Sequence, residues 1–134
     1  MATILAHVKV KPGSEPRWEE IAKELYRRTH AEEQDVTRYE YWRGQAPGSY
    51  YVLLSFPSYN KFIVHQASDH HEDAAPGLGE VMESINLEWV DPIEGASPLA
   101  PTNAEALWDG ANDLQKQYHG AYAPAIADWW SQYR

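Results

Sequence analysis

Between Ile4 and Val90 the hydrophobic period switches in a fixed order: two, 3.6, two, two, 3.6, two. Few folds accept that order. Ile4, Ala6, Val8 and Val10 alternate with Leu5, His7, Lys9 and Lys11, which reads as a strand with one apolar face. Lys11-Pro12-Gly13-Ser14 breaks the alternation, with Ser14 a suitable helix N-cap and Pro16 tolerated in the first turn. Trp18, Ile21, Ala22, Leu25 and Thr29 then recur at helical spacing, backed by the charged side Glu19, Glu20, Lys23, Glu24, Arg27 and Arg28.

Val36 to Arg43 alternates again, Gln45 to Ser49 is turn-like, and Tyr50 to Phe56 is a third strand, so a hairpin is expected. Ser58 can cap a second helix running to about Ser68, and the stretch from Asp69 to Glu83 reads as a helix broken around Pro76-Gly77. Ile85, Leu87 and Trp89 form a fourth strand that Asp91-Pro92 ends. The order βαββαβ predicts an α+β, ferredoxin-like domain with a four-stranded antiparallel sheet and both helices on one face. Tyr50, Val52, Leu54 and Phe56 point one way while Tyr51 and Leu53 point the other, and Tyr39 with Tyr41 repeats the two-sided pattern. A sheet apolar on both sides needs a second cover, and a second copy of the sheet is the economical one, so a homodimer is expected.

At 134 residues the chain has the length of one ordinary domain. The expected boundaries are 1–94 for the ferredoxin-like domain, 95–101 for a Pro- and Ser-containing linker, and 102–134 for a C-terminal helical extension. In that extension Thr102 or Asn103 would cap a helix carrying Ala104, Leu107, Trp108, Ala111, Leu114 and Tyr118 as its apolar stripe. A formal charge of -9 repels phosphate backbones and anionic membranes, which argues against nucleic acid as a partner. Without cysteine there is no disulfide or thiolate ligand, and with no signal-like start or membrane-length apolar run the expected location is the cytoplasm. Six Trp and nine Tyr supply flat surfaces with polar edges, so a small aromatic molecule is a plausible ligand.

The element order, Val10-Lys11-Pro12-Gly13 after the first strand, and Phe62-Ile63-Val64-His65-Gln66-Ala67-Ser68-Asp69-His70 together resemble the antibiotic biosynthesis monooxygenase superfamily over about residues 2–94. The most specific part is the His-x-x-Ser-x-His pattern of His65, Ser68 and His70. The resemblance implies a dimeric α+β barrel in which two sheets face each other. Its activities range from cofactor-independent oxidation of phenols and quinols to haem degradation. The chain departs from the family pattern, with Phe56 where a Trp is common and Val52 where some phenol-oxidising members carry Asn. The haem-degrading branch has Trp at the position of His65 and its iron-binding His near Ala75, so no haem ligand is expected here.

A cofactor-free oxygenase needs a base to make a phenolate or enolate, an aromatic pocket, and exclusion of water. Histidine suits the first task, and His65, His70 and His71 are the candidate catalytic bases, His65 first. Tyr41, Phe56, Phe62 and Trp89 are candidate substrate-binding walls. His7 would join them only if the pocket opened on its side of the first strand. Each has a plainer reading: His65, three residues after Phe62, as a satisfied core histidine; His70 and His71 as an acidic, solvated helix end; His7 as an interface or surface residue. Ligands spaced by five and six residues suit a metal poorly on one helix face, and only a helix break near Ser68 would rescue the geometry, so neither metal nor cofactor is assigned. The resulting expectation is a cofactor-independent monooxygenase-like enzyme for a small aromatic phenol, quinol or polyketide-like substrate. The alternatives are a cofactorless lyase, isomerase or cyclase, and a non-catalytic small-molecule-binding dimer.

Overall fold

The computed structural model describes residues 1–134. Its order is β1 (Ala2–Val10), α1 (Glu15–Glu32), β2 (Arg38–Arg43), β3 (Ser49–Phe56), α2 (Tyr59–Gln66), α3 (Asp69–Val81), β4 (Met82–Trp89) and α4 (Asp113–Ala121), with a 3-10 turn at Asp128–Tyr133. The four strands pair antiparallel in the order β2-β3-β1-β4, and α1, α2 and α3 cover one face. This is the ferredoxin-like α+β arrangement that the periodicity implies. Ile4, Ala6, Val8 and Val10 all point into the core, where they meet Val52, Leu54 and Phe56 from β3 and Trp18, Ile21 and Leu25 from α1. Burying side chains of this size contributes about 1.5–3 kcal/mol each, which is why the alternation is so strict.

Register corrects the reading of β2. Tyr39 pairs with Leu54 and Tyr41 with Val52, so both tyrosines face the helices rather than the open side of the sheet. Period two fixes which residues share a face within a strand, but only pairing fixes which face that is. The open side instead carries Leu5, Leu53, Tyr51 and Trp42, interspersed with His7, Lys9, Glu40 and Glu88. Trp42 is 58% exposed there.

The helix capped by Ser58 ends at Ala67-Ser68, close to where the spacing ends it, but the break expected around Pro76-Gly77 does not occur. Ser68 is the N-cap of α3, accepting from the backbone N–H of His71, while its own hydroxyl donates to the carbonyl of His65 at 2.7 Å. Pro76 lies inside α3 without ending it. A side chain at Gly77 would meet Ile21 Cδ1 at 3.0 Å, so this glycine permits the close approach of α1 to α3.

The C-terminal extension differs most from its expectation. Residues 102–112 form no helix; α4 begins only at Asp113, where Asn112 and Gln115 make a reciprocal capping box. Thr102 is recruited as a clamp instead of a cap. Its hydroxyl donates to Val90 O at 2.6 Å and accepts from Thr3 N at 3.3 Å, and the next residue's N–H donates to Met1 O. Further along, α4 packs on α2, with Tyr122 against Phe62 and the Tyr59 hydroxyl donating to His119 O. The extension therefore lies over the helical layer of its own chain and leaves the open side of the sheet bare.

Candidate functional site

Three helix ends meet beside β2 and β3, and each delivers one or two polar side chains. Helix α1 ends at Glu32, and its cap Glu33 turns to extended backbone, so the two carboxylates leave the helix side by side. His65 sits in the last turn of α2 and His70 in the first turn of α3. On one continuous helix residues five apart would point about 140° away from each other. The break at Ser68 folds that angle away and brings their ring centroids to 6.0 Å.

His65 is fully buried, with Nδ1 2.7 Å from Glu33 Oε1. An ionised carboxylate only accepts, so Nδ1–H is the donor and Nε2 is left bare. Nε2 is shut off from solvent and has no hydrogen-bond partner. Around this ring stand Tyr39 at 4.9 Å, Phe56 at 5.0 Å and His71 at 5.2 Å between centroids. The same Glu33 Oε1 lies 2.7 Å from His70 Nε2, while His70 Nδ1 faces Glu32 Oε2 at 3.2 Å. Burial, reinforced by the neighbouring His65 and His70, pushes His71 down to about 3, so it stays neutral, and its Nδ1 is another buried atom without a partner.

Tyr39 and Tyr41 join their hydroxyls at 2.7 Å, and burial raises both phenols well above the ordinary tyrosine range. Tyr41 exposes part of its ring to an open cleft of about 600 Å³ between α1 and β2, lined also by Trp18, Tyr26, Trp42 and Tyr50. Thus Tyr39 and Tyr41 form a two-residue wall between that cleft and His65.

The three candidate bases come together, with Tyr39 and Phe56 as the aromatic neighbours of the first. Phe62 and Trp89 pack at 5.5 Å on each other as a second aromatic layer, next to Tyr59 and under Tyr122. His7 is elsewhere: it projects from the open face of the sheet, 40% exposed, and bonds Glu88 at 2.8 Å. Glu33 is the residue that the sequence did not reveal. It lies in the acidic stretch Glu32-Glu33-Gln34-Asp35, which reads like any solvated helix end. Trp18 and Tyr26, the α1 wall of the cleft, were visible only as part of an amphipathic helix. The one signal the sequence carries for Tyr26 is its place among Glu19, Lys23 and Arg27 on the charged side of the helix, where the ring is 48% exposed.

The sequence model for antibiotic biosynthesis monooxygenases matches residues 1–77, more than half of the chain. No curated protein matches it. Among solved structures, a candidate antibiotic biosynthesis monooxygenase from Caulobacter crescentus CB15 aligns with TM-score 0.66 and 24% identity, over 69% of this chain and 90% of that one. A second candidate monooxygenase of the same description, from Nitrosomonas europaea, aligns with TM-score 0.64 and 12% identity over 69% and 99% of the two chains. A conserved protein from Methanosarcina mazei Go1 gives 0.59 and 22% identity over 65% and 89%. At these identities the likeness speaks for the fold alone, and the family match, ending at residue 77, stops short of the extension that carries α4.

Proposed function

Because the chain belongs to the antibiotic biosynthesis monooxygenase family, we propose that it is a monooxygenase-like enzyme that oxidises a small phenol or quinol with His65 as general base. The observation that carries this reading is His65 itself: a buried imidazole whose Nδ1–H is held by Glu33 and whose Nε2 has no partner. A carboxylate on one ring nitrogen fixes the tautomer and leaves the other to take a proton. Glu33 is then a positioning residue. Tyr39 and Phe56 hold a flat substrate beside Nε2, and the enclosure excludes water while the phenolate reacts. Proton transfer to a positioned base is worth about 10²–10⁴ in rate.

Nε2 is closed to solvent, so a substrate reaches it only when the cover opens. We place that cover at α4, which packs on α2 and is tied by the Tyr59 hydroxyl of α2 to the carbonyl of His119 and by the Tyr118 hydroxyl to Glu72 Oε1 of α3 at 2.6 Å. The chain pairs with a second copy through the open side of the sheet, where Leu5, Leu53, Tyr51 and Trp42 would otherwise face water. No helix is long and apolar enough to cross a membrane.

Oxygen uptake with catechols, hydroquinones and anthrone-like phenols tests the reading, with His65→Ala as the control that must lose it. Uptake that His65→Ala retains in full contradicts the assignment. A second reading rests on a different observation: the aromatic cleft beside Trp18, Tyr26 and Tyr41 is open and of substrate size. It supports a non-catalytic small-molecule-binding protein, and tryptophan quenching by an aromatic ligand that is never turned over favours it.

A further inference from the structure

We propose that Glu33, His65 and His70 form a site for one divalent transition-metal ion, with two imidazole nitrogens and one carboxylate oxygen as ligands. Three chain segments separated in sequence converge so that one ligand atom from each lies within 4.8 Å of the others. Both nitrogens aim at the same oxygen, Glu33 Oε1, at 2.7 Å each.

Hydrogen-bond counting favours a cation there. An ionised Glu33 accepts only, so both facing nitrogens must carry protons; His70 also turns Nδ1 toward the carboxylate of Glu32, so it needs a second. A cation at the centre replaces the two inner protons and leaves the His70 Nδ1–H donating to Glu32. That outer carboxylate is the support that a metal-ligating histidine ordinarily has on its other nitrogen. Metal bonds of about 2.0–2.1 Å need ligand atoms roughly 3.3 Å apart. The 2.7 Å contacts therefore open by well under 1 Å. Glu33 can give that room, because it caps α1 in extended backbone rather than lying within the helix.

Two imidazoles and a carboxylate, without thiolate, suit zinc, cobalt or ferrous iron rather than calcium or magnesium. A cation on His65 Nδ1 keeps the proton on Nε2, so the metal-loaded and base-competent forms exclude each other. The proposal does not rest on the monooxygenase reading, since binding is measured without substrate.

Chelator-treated protein is titrated with Co²⁺, followed by its visible absorption, and with Zn²⁺, followed by calorimetry. One ion per chain is expected. Glu33→Gln and His70→Ala should each lose more affinity than Glu32→Gln, which acts from outside and should cost roughly 10–100-fold. His7→Ala should bind as the parent does, and circular dichroism shows which variants keep the fold. Glu33→Gln conserves shape and remains decisive if His70→Ala unfolds. Absence of binding, or affinity that Glu33→Gln and His70→Ala retain, overturns the proposal.

Discussion

Two histidine–glutamate pairs in this chain are almost the same length, His65 to Glu33 at 2.7 Å and His7 to Glu88 at 2.8 Å, yet they sit in opposite settings. The first lies between helix ends, its imidazole 0% and its carboxylate 15% exposed. The second is on the open face of the sheet, with 40% and 55%. Water screens the exposed pair and competes for both partners, so its geometry constrains little. In the buried pair water does not compete, and Glu33 is held between His65 and His70, so the bond fixes which nitrogen of His65 is free. What separates a positioned base from a surface contact here is burial rather than distance.

That difference can be broken most visibly in turnover. With a substrate that the parent oxidises, His65→Ala should lower the rate by about 100-fold or more, the scale of a lost general base, while His7→Ala should stay within about twofold. Equal losses would put both pairs in one class. The next largest effect is on stability. His70→Ala leaves Glu33 and Glu32 facing a gap at the buried junction and should cost about 2 kcal/mol in urea unfolding, whereas Glu88→Gln on the open face should stay within about 0.5 kcal/mol.

The smallest effect carries the same contrast over to the phenols. Burial raises Tyr39 and Tyr41 and pushes Tyr59 up to about 12. For a group raised on folding the stabilisation is complete below the unfolded value of about 10 and is lost as pH rises through the folded value. Unfolding should therefore sharpen between about pH 10 and 12. Tyr39→Phe, which has no phenol to ionise, should weaken that dependence; an unchanged alkaline profile would mean that the buried phenols are not what limits stability there.

Much of the fold was legible because local periodicity reports which face a residue occupies. β1, α1 and the β2–β3 hairpin follow their apolar pattern to within about two residues, β4 begins at Met82, three residues before the alternation read from Ile85, and Ser58 caps α2 as its position suggests. The ambiguous segments were those whose conformation depends on distant partners. Residues 102–112 have a helical apolar stripe, but Thr102 is drawn to the backbone of Val90 and Thr3, and the helix starts afresh beyond Gly110, whose φ of 85° suits glycine. At the candidate site His65 and His70 stood out by their pattern with Ser68. Glu33 did not, because a carboxylate at a helix end becomes informative only when two other helix ends close over it.

The central claim is that Glu33 holds the proton on Nδ1 of His65 and leaves Nε2 bare. Long-range ¹H–¹⁵N correlation of the histidine side chains in metal-free protein reads that directly. The expected spectrum shows His65 as the Nδ1–H tautomer, converting toward Nε2–H when Glu33 is changed to Ala. A His65 that carries its proton on Nε2 in the parent protein would contradict the base assignment.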